Sequence, residues 1–312
     1  MPLDRKKNAK SLARSNGQDL MRGENVVGLL SKGSKTMQDG TRFYIHKEQW
    51  EKENGREIST EDFCKIYEPN VSGTSIFDPV LCELAYRWFC PAGGSILDPF
   101  AGGSVRGIVA AQCGFDYHGV DLRPEQIAAN EAQAETICTG DKKPKWSVGD
   151  SKDIDTVASG KYDLVFSCPP YGDLEVYSEN AADLSTMEHA AFVAAYRHII
   201  SESVSMLAPN RFACFVVGDF RDSKGFYRNF VADTISAFQD AGAMLYNEGI
   251  LVTAVGSLPI RIGRQFEGGR KLGKTHQNVL VFFKGDPKEI KSWPLPDFES
   301  VVDEAEQNPV PE

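Results

Sequence analysis

Two short turns contain the residue types that could bind a ligand and act on it. The first reads Asp98-Pro-Phe-Ala-Gly-Gly-Ser104, and the second, Cys168-Pro-Pro-Tyr171, begins 70 residues after Asp98. Two glycines let a ligand approach the main chain closely, and Ser104 can cap a following helix. Two consecutive prolines fix an extended backbone and leave carbonyl oxygens outside the ladder, next to an aromatic ring. Taken alone, the first could be a tight turn without a ligand, and the second a loop that only ends a strand.

Carboxylates recur after the predicted strands that follow the first turn. Asp121 lies 23 residues after Asp98, and Asp150 follows Gly149 at the end of the next strand. An acid at the first of these spacings usually holds the ribose hydroxyls of a nucleoside cofactor. The G-x-G-x-x-G spacing of dinucleotide sites is absent, and an acid before the glycine turn repels a pyrophosphate. The pattern therefore favours a cofactor without phosphates and with a positive centre, which describes S-adenosylmethionine.

The elements that must position these residues alternate along the chain. Strands are predicted at Ser95–Asp98, Tyr117–Asp121, Lys145–Val148, Tyr162–Ser167, Phe212–Gly218, Ala243–Thr253 and Asn278–Lys284. Helices are predicted at 77–90, 104–113, 124–134, 188–207 and 225–241, the first with Asp78 as N-cap. This alternation predicts an α/β fold with a doubly wound, Rossmann-like parallel sheet. Because the last two strands lack a long helix between them, one antiparallel edge strand is expected.

The paired motifs resemble those of the amino-group S-adenosylmethionine-dependent DNA methyltransferases of phage and prophage type, which modify adenine N6 or cytosine N4. LDPFAGGS (97–104) is similar to the family's first motif, and CPPY (168–171) to its catalytic motif, an Asp, Asn or Ser before Pro-Pro-aromatic. SIFDPVLCELAYRWFCP, YHGVDLRPEQ, FSCPPYGDLEVYS and KTHQNVLVFFKGD are also similar, so the resemblance covers about residues 74–286. It implies a class I methyltransferase sheet, S-adenosylmethionine as cofactor and double-stranded DNA as substrate.

The resemblance also implies roles for individual residues. Asp121 would take the ribose hydroxyls, Asp150 would face the cofactor's adenine, and Tyr171 would stack on a base flipped from the duplex. The implied cofactor-binding residues are Phe77, Asp78, Asp98, Pro99, Phe100, Ala101, Gly102, Gly103, Asp121 and Asp150. The implied catalytic residues are Ser167, Cys168, Pro169, Pro170 and Tyr171.

One residue departs from the family's pattern. Cys168 stands where Asp, Asn or Ser is usual, and a thiol is a weak hydrogen-bond acceptor. Either Ser167 compensates, or the proline carbonyls alone accept from the target amine. Cytosine-C5 methyltransferases use a Cys nucleophile, but that Cys follows a proline, whereas Cys168 precedes both prolines.

A basic segment precedes the last predicted strand. SLPIRIGRQFEGGRKLGKTHQ (257–277) combines cations, glycines and Phe266, which suits a mobile loop on a phosphate backbone. A solvated charged loop is the alternative. The candidate nucleic-acid contacts are Arg261, Arg264, Arg270, Lys271, Lys274 and His276. Residues 22–75 and the acidic 172–187 segment are further candidates for target recognition.

Composition limits the class of protein. The chain has 312 residues and a net charge of −10, which counts against a protein that coats nucleic acid non-specifically. Its seven cysteines include no Cys-x-x-Cys, so neither a disulfide framework nor a metal site is indicated. It has no run of 18 apolar residues and no signal-like apolar stretch at the N-terminus, so a cytoplasmic protein of a bacterial host is expected.

The expected organisation is an N-terminal extension (1–73), a methyltransferase domain (74–290) and an acidic tail (291–312). The short recognition elements suggest a short target or a restriction or specificity partner. Three alternatives stay open: methylation of tRNA or rRNA amines, methylation of a glutamine amide in protein, and a non-catalytic module that binds cofactor and DNA.

Overall fold

The computed structural model describes residues 50–52, 54–59, 77–172, 180–252 and 258–294. The chain divides into two compact units, one of residues 76–253 and 276–312 and the other of residues 1–75 and 254–275. Most of the expected N-terminal extension, residues 173–179 of the acidic segment and residues 295–312 of the acidic tail lie outside the described residues. Within the described part, none of the helices is long and apolar enough to cross a membrane.

The first unit contains alternating strands and helices. The strands are β1 (Ser95–Asp98), β2 (Asp116–Asp121), β3 (Lys145–Val148), β4 (Tyr162–Ser167), β5 (Leu207–Val217), β6 (Met244–Val252) and β7 (His276–Lys284). The helices of this unit are α1 (Pro79–Phe89), α2 (Val105–Gln112), α3 (Pro124–Ile137), α4 (Ile154–Val157), α5 (His189–Met206) and α6 (Phe230–Asp240). In the second unit, α7 spans Leu258–Gly269.

Local sequence explains the start of the first helix. The Asp78 carboxylate accepts hydrogen bonds from the main-chain N–H groups of Val80 and Leu81 at 2.9 and 3.3 Å, and Pro79 occupies the first helical position. The N-cap predicted at Asp78 is therefore confirmed. Ser104 occupies the predicted N-cap position of α2, but its hydroxyl bonds to the Gln133 side chain and makes no capping hydrogen bond to the main chain of the helix.

The seven strands form one sheet in the order β3-β2-β1-β4-β5-β7-β6. Neighbouring strands from β3 to β5 are parallel, and β7 runs antiparallel to both β5 and the edge strand β6. This topology confirms the expected fold class, a doubly wound Rossmann-like α/β sheet with antiparallel pairing at one edge. The chain reverses its direction of strand addition between β1 and β4, which is the switch point where such sheets bind ligands.

Apolar side chains cover both faces of the sheet. On one face Leu97, Val165 and Phe215 pack with residues of α5 and α6, and on the other Ile96 and Phe166 pack with residues of α1 and α2. Burial on both faces is typical of strands in parallel sheets and accounts for their nearly continuous apolar runs.

Two predictions about connections are wrong. The segment before β7 contains the 12-residue helix α7, where a loop was expected. The helix predicted from Gly225 begins only at Phe230, because residues 220–228 form a short antiparallel hairpin instead. Asn229 separates the hairpin from the helix with a left-handed φ of 57°.

Candidate active site

The two turns found in the sequence lie side by side. β1 and β4 pair in parallel, with Ile96 opposite Leu164 and Leu97 opposite Val165, so both strands end at the same edge of the sheet. A hydrogen bond of 2.5 Å joins the two strand ends, donated by the Ser167 hydroxyl to the Asp98 carboxylate. The candidate cofactor turn and the candidate catalytic turn therefore begin from one bonded pair of residues.

Asp98 is fully buried, and protein groups satisfy its carboxylate. In addition to Ser167, it accepts hydrogen bonds from Arg106 Nε at 2.6 Å, from the Tyr117 hydroxyl at 2.7 Å and from the Phe100 main chain at 3.1 Å. The side chain is shielded from solvent, and Arg106 neutralises its charge. The expected repulsion between Asp98 and a pyrophosphate is thus much reduced.

Arg106 is a central residue of the site that the sequence analysis missed. Its guanidinium binds Asp98, donates to the carbonyls of Phe100 and Ala101 and lies 5.0 Å from the centre of the Phe77 ring. Burial acts to lower the pKa of Arg106, but Asp98, Tyr117 and Cys168 together outweigh burial and raise the pKa, so the side chain stays charged. A signal was present, because Arg106 is the single charged residue in the apolar helix VRGIVAAQ.

Main-chain groups of the glycine turn also form hydrogen bonds within the protein. The N–H of Ala101 donates to the Val120 carbonyl at 3.0 Å, and the N–H of Gly102 donates to the Asp121 carboxylate at 2.9 Å. The Gly102 carbonyl accepts from Asn130 at 2.7 Å, and its φ of 50° is a conformation that favours glycine. Together with the bond from Phe100 to Asp98, three consecutive amides of this turn are used internally.

Partly exposed carboxylates follow the next two strands. Asp121 ends β2, and its side chain, 14% exposed, takes the N–H groups of Gly102 and Arg123. Burial raises the pKa of Asp121, against the opposing effect of Arg123. Asp150 follows β3, is 24% exposed and pairs with Lys152 at 3.0 Å. Both acids keep oxygen lone pairs for hydroxyl or amino donors of a ligand.

Other expected cofactor residues have structural contacts. Phe77 is half-buried and packs edge-on against Phe166, with ring centres 5.8 Å apart. The Pro99 carbonyl accepts a 2.5 Å hydrogen bond from the buried Ser151 hydroxyl. A Cβ built on Gly103 would meet no heavy atom of the described residues within 4 Å, so this position has room for a ligand.

The catalytic turn is built around Tyr171. Its hydroxyl accepts a 2.5 Å hydrogen bond from the side-chain amide of Gln277 on β7 and is in hydrogen-bond contact with Cys168. The Tyr171 ring packs edge-on against Phe220 and Phe230, at 6.3 and 6.0 Å between ring centres. Burial, followed by the effect of Cys168, raises the pKa of Tyr171, which keeps the hydroxyl protonated.

The residues beside Tyr171 differ in access. Cys168 and Pro170 are half-buried, Pro169 is buried, and Ser167 is fully buried with its hydroxyl bonded to Asp98. The Ser167 hydroxyl is therefore not exposed to compensate for the thiol. Gly172 has a φ of 54°, and any side chain there would come within 3.1 Å of the Phe220 ring.

The expected nucleic-acid contacts are divided between the two units. Arg261 and Arg264 lie on α7, and Arg270, Lys271 and Lys274 follow it in the same unit. Arg264 and Arg270 are exposed. The Arg270 guanidinium lies 5.2 Å from the centre of the Phe266 ring. His276 is exposed at the start of β7, in the other unit.

No protein-family model and no curated protein matches this sequence. Among solved structures, TrmN from Thermus thermophilus is similar over 67% of this chain, with 15% identity and a TM-score of 0.45. This match spans about half of the TrmN chain, 49%. A methyltransferase from Pyrococcus furiosus is similar over 79% of this chain and 98% of its own, with 15% identity and a TM-score of 0.45.

The magnesium protoporphyrin IX methyltransferase ChlM from Synechocystis PCC 6803, solved with bound SAM, is a third similar structure. It matches 62% of this chain and 71% of its own, with 15% identity and a TM-score of 0.39. At these identities and TM-scores, the likenesses assign neither a substrate nor a cofactor to this chain.

Proposed function

We propose that this chain is an S-adenosylmethionine-dependent methyltransferase that acts on the exocyclic amine of adenine (N6) or cytosine (N4) in DNA. The main observation is the junction of the two motif turns. They leave the adjacent parallel strands β1 and β4 at the switch point, joined by the bond from Ser167 to Asp98. Doubly wound sheets bind ligands at this point, so cofactor and target can meet there. The motif resemblance supplies the reaction class.

The residues at this edge fit S-adenosylmethionine better than a dinucleotide. Because the amides of Phe100, Ala101 and Gly102 all bond within the protein, they offer no cradle for phosphate oxygens. Asp121 and Asp150 are suited to the hydroxyl and amino groups of a nucleoside. In this proposal Asp121 holds the ribose, Asp150 faces the adenine, and Asp98 acts through Arg106 rather than by direct contact.

The remaining cofactor contacts are proposed from position. Phe77 and Phe100 are half-buried, and Arg106 ties both to the glycine turn. Gly103 leaves space beside them. Asp78, Pro99 and Ala101 would shape the site rather than bond to the cofactor, because the Asp78 carboxylate and the Pro99 and Ala101 carbonyls already accept hydrogen bonds from the protein.

The catalytic turn suits an amine nucleophile. An exocyclic amine is unreactive while its lone pair is delocalised into the ring, and acceptors aimed at its N–H groups favour a pyramidal nitrogen. We assign this role to the Pro169 carbonyl, with Tyr171 stacking on the flipped base. S-adenosylmethionine supplies an electrophilic methyl group when bound. The protein's contribution is positioning, for which Gln277, Phe220 and Phe230 fix the Tyr171 ring.

Cys168 is proposed as a tolerated variant of the family's polar residue. Its sulfur contacts the Tyr171 hydroxyl, so it has a structural partner in the turn. Arg261 and Arg264 on α7, with Arg270, Lys271 and Lys274 after it, are proposed as contacts to DNA phosphates. His276 is proposed as a further substrate contact from β7.

The experiment is nucleoside mass spectrometry after incubation of the purified chain with S-adenosylmethionine and unmodified DNA, with tRNA in parallel. N6-methyladenine or N4-methylcytosine in DNA is the expected product. Tyr171→Ala should lose this product, whereas Tyr246→Ala, which removes a half-exposed ring on β6, should retain it. Methylated tRNA with unmodified DNA would overturn the DNA assignment, and 5-methylcytosine would overturn the amine chemistry. Cofactor binding without transfer to either nucleic acid would contradict the whole proposal.

A further inference from the structure

Residues 220–228 form a hairpin at the edge of the sheet that bears the catalytic turn. Arg221 and Tyr227 pair as an antiparallel bridge, the N–H of Arg228 bonds to the Phe220 carbonyl at 2.9 Å, and a tight turn closes between Asp222 and Gly225. The hairpin follows β5, which is the sheet neighbour of β4. It therefore leaves the sheet beside Cys168–Tyr171, within the same compact unit.

Two phenylalanines fix the hairpin to the catalytic turn. Phe220 at its start and Phe230 just after its end are buried, lie 5.6 Å apart between ring centres, and both contact the Tyr171 ring. Phe220 also packs against Gly172. The base of the hairpin and the tyrosine proposed to stack on the target base thus form one aromatic cluster.

The tip of the hairpin exposes aromatic rings next to cations. Phe226 is 70% exposed and Tyr227 is 43% exposed, and the Arg221 guanidinium lies 3.8 Å from the centre of the Tyr227 ring. Lys224 and Arg228 add positive charge, as shown by the sequence RDSKGFYR. Two adjacent exposed rings flanked by cations form an apolar patch with a polar rim, and such patches mark interaction sites.

The two carboxylates near the hairpin have structural partners. Asp219 accepts from the N–H of Val231 at 3.1 Å, and Asp222 accepts from the N–H of Phe226 at 2.8 Å. The bond from Phe226 lowers the pKa of Asp222. By contrast, the Nε of Arg228 is shielded from solvent and has no hydrogen-bond partner among the described residues. An unpaired donor of this kind requires an explanation, and a bound ligand would supply one.

We infer that this hairpin is a DNA-contacting element, in which Phe226 and Tyr227 stack on unpaired bases beside the target nucleotide while Arg221, Lys224 and Arg228 contact the adjoining phosphates. This inference rests on the proposed function, since it requires a flipped base at Tyr171. Rings stack on any base, and cations contact any phosphate, so the element contributes affinity rather than sequence readout. The local sequence pattern did not indicate a role for these residues.

The test measures binding of a fluorescein-labelled DNA duplex and of its single strand by anisotropy, with S-adenosylhomocysteine present. Phe226→Ala and Tyr227→Ala should each weaken binding about tenfold, the usual effect of losing one base-stacking ring. Phe226→Trp should bind DNA with an affinity close to that of the wild-type chain, unlike Phe226→Ala. The fluorescence of the introduced indole should be quenched when DNA binds. Trp88→Ala removes a 45% exposed ring from α1 and is the matched control, expected to bind like wild type.

The outcomes separate this inference from the proposed function. If the wild-type chain binds DNA and both Phe226→Ala and Tyr227→Ala bind it with the same affinity, the hairpin's role is overturned. The proposed function is then unaffected. A wild-type chain that binds S-adenosylhomocysteine but neither binds nor methylates DNA would overturn both. Weaker binding together with a lower melting temperature would contradict a surface contact, because a 70% exposed ring should not stabilise the fold.

Discussion

The turn after β1 and the hairpin after β5 leave the sheet at the same edge, yet their polar groups are satisfied in opposite ways. In the β1 turn, Asp98 accepts four hydrogen bonds in full burial, and Arg106 binds two carbonyls of the turn. In the hairpin, Phe226 is largely exposed, and the Nε of Arg228 has no partner among the described residues.

The difference separates two requirements of one site. A cofactor turn that is already rigid loses little conformational entropy when the ligand binds. A surface for nucleic acid must instead keep rings and donors for its partner. We therefore expect substitutions near β1 to change stability and cofactor affinity, and substitutions in the hairpin to change nucleic-acid affinity alone.

The largest effect should follow from removing the cation of the β1 network. Arg106→Met leaves the buried Asp98 carboxylate without its partner, and breaking a buried ion pair costs about 3–5 kcal/mol. The free energy of unfolding in urea should fall by that amount. Lys142→Met breaks the exposed pair with Asp116 and should cost less than about 1 kcal/mol. Equal losses in the two variants would contradict the central role of Arg106.

A second substitution disturbs Tyr171 without changing it. Gln277→Leu removes the hydrogen bond to the tyrosine hydroxyl and preserves most of the side-chain volume. We expect kcat to fall about tenfold, because catalysis by positioning is sensitive to small displacements, with the cofactor KM unchanged. Gln112→Leu is the control, because it removes an exposed hydrogen bond from the Gln112 side-chain amide to the Ile137 carbonyl. This variant should retain the wild-type kcat. An unaltered kcat in Gln277→Leu would assign the tyrosine's orientation to ring packing alone.

The basic segment provides a contrast between charge and stacking. Arg270→Ala combined with Lys271→Ala should weaken DNA binding and reduce the slope of log K against log salt by roughly two. Phe226→Ala should lower affinity with the salt slope preserved, since it removes no charge. Anisotropy titrations over a range of salt concentrations measure both quantities. If the double variant binds like wild type while still folded, the segment is not a phosphate contact.

A smaller, pH-dependent effect is expected from His118, which is buried on β2 between the hydroxyls of Tyr162 and Ser147, each at 2.9 Å. Burial, followed by Lys145, lowers the pKa of His118 from 6.5 to about 4. Between these values the unfolded chain binds a proton that the folded chain does not, so stability decreases as the pH falls. Between neutral pH and about 4, the free energy of unfolding in urea should fall less steeply for His118→Gln than for wild type. If stability depends on pH in the same way in both proteins, His118 is not the titrating group. His276→Gln, which replaces an exposed imidazole, is the control.

The smallest effect is expected from Cys168→Ser. A hydroxyl accepts hydrogen bonds better than a thiol, and the Pro169 carbonyl is unaffected, so methyl transfer should remain measurable. The assay is the same nucleoside mass spectrometry, with cofactor binding checked by calorimetry. Complete loss of transfer in a variant that still binds cofactor would indicate thiol chemistry instead.

Local patterns in the sequence were sufficient for most of the sheet. β1, β3 and β4 have the predicted bounds because a glycine or proline follows each strand within two residues. β5 begins at Leu207, earlier than predicted, since Pro209 and Asn210, with a φ of 56°, are accommodated inside the strand where the register shifts. Strand order could be expected only from the resemblance, because it is fixed by pairing between distant segments.

The contacts that organise the candidate site depend on tertiary structure. Asp98 bonds to residues 8, 19 and 69 positions away, and Tyr171 to one 106 positions away. No local periodicity reports such pairs. The hairpin was missed for a local reason: GFYRN resembles the start of the following helix until the left-handed Asn229 is known.

The position of β7 has a consequence for how the chain is made. Among the strands of the described residues, β7 is synthesised last, yet it lies between β5 and β6 in the sheet. Until residues 276–284 emerge, β5 has an open edge, and β6 has no neighbouring strand with which to pair. The parallel half of the sheet can form before β7 is synthesised, whereas the antiparallel half needs residues 276–284. Gln277 arrives with this last strand, so Tyr171 acquires its hydrogen bond only when synthesis of the sheet is complete.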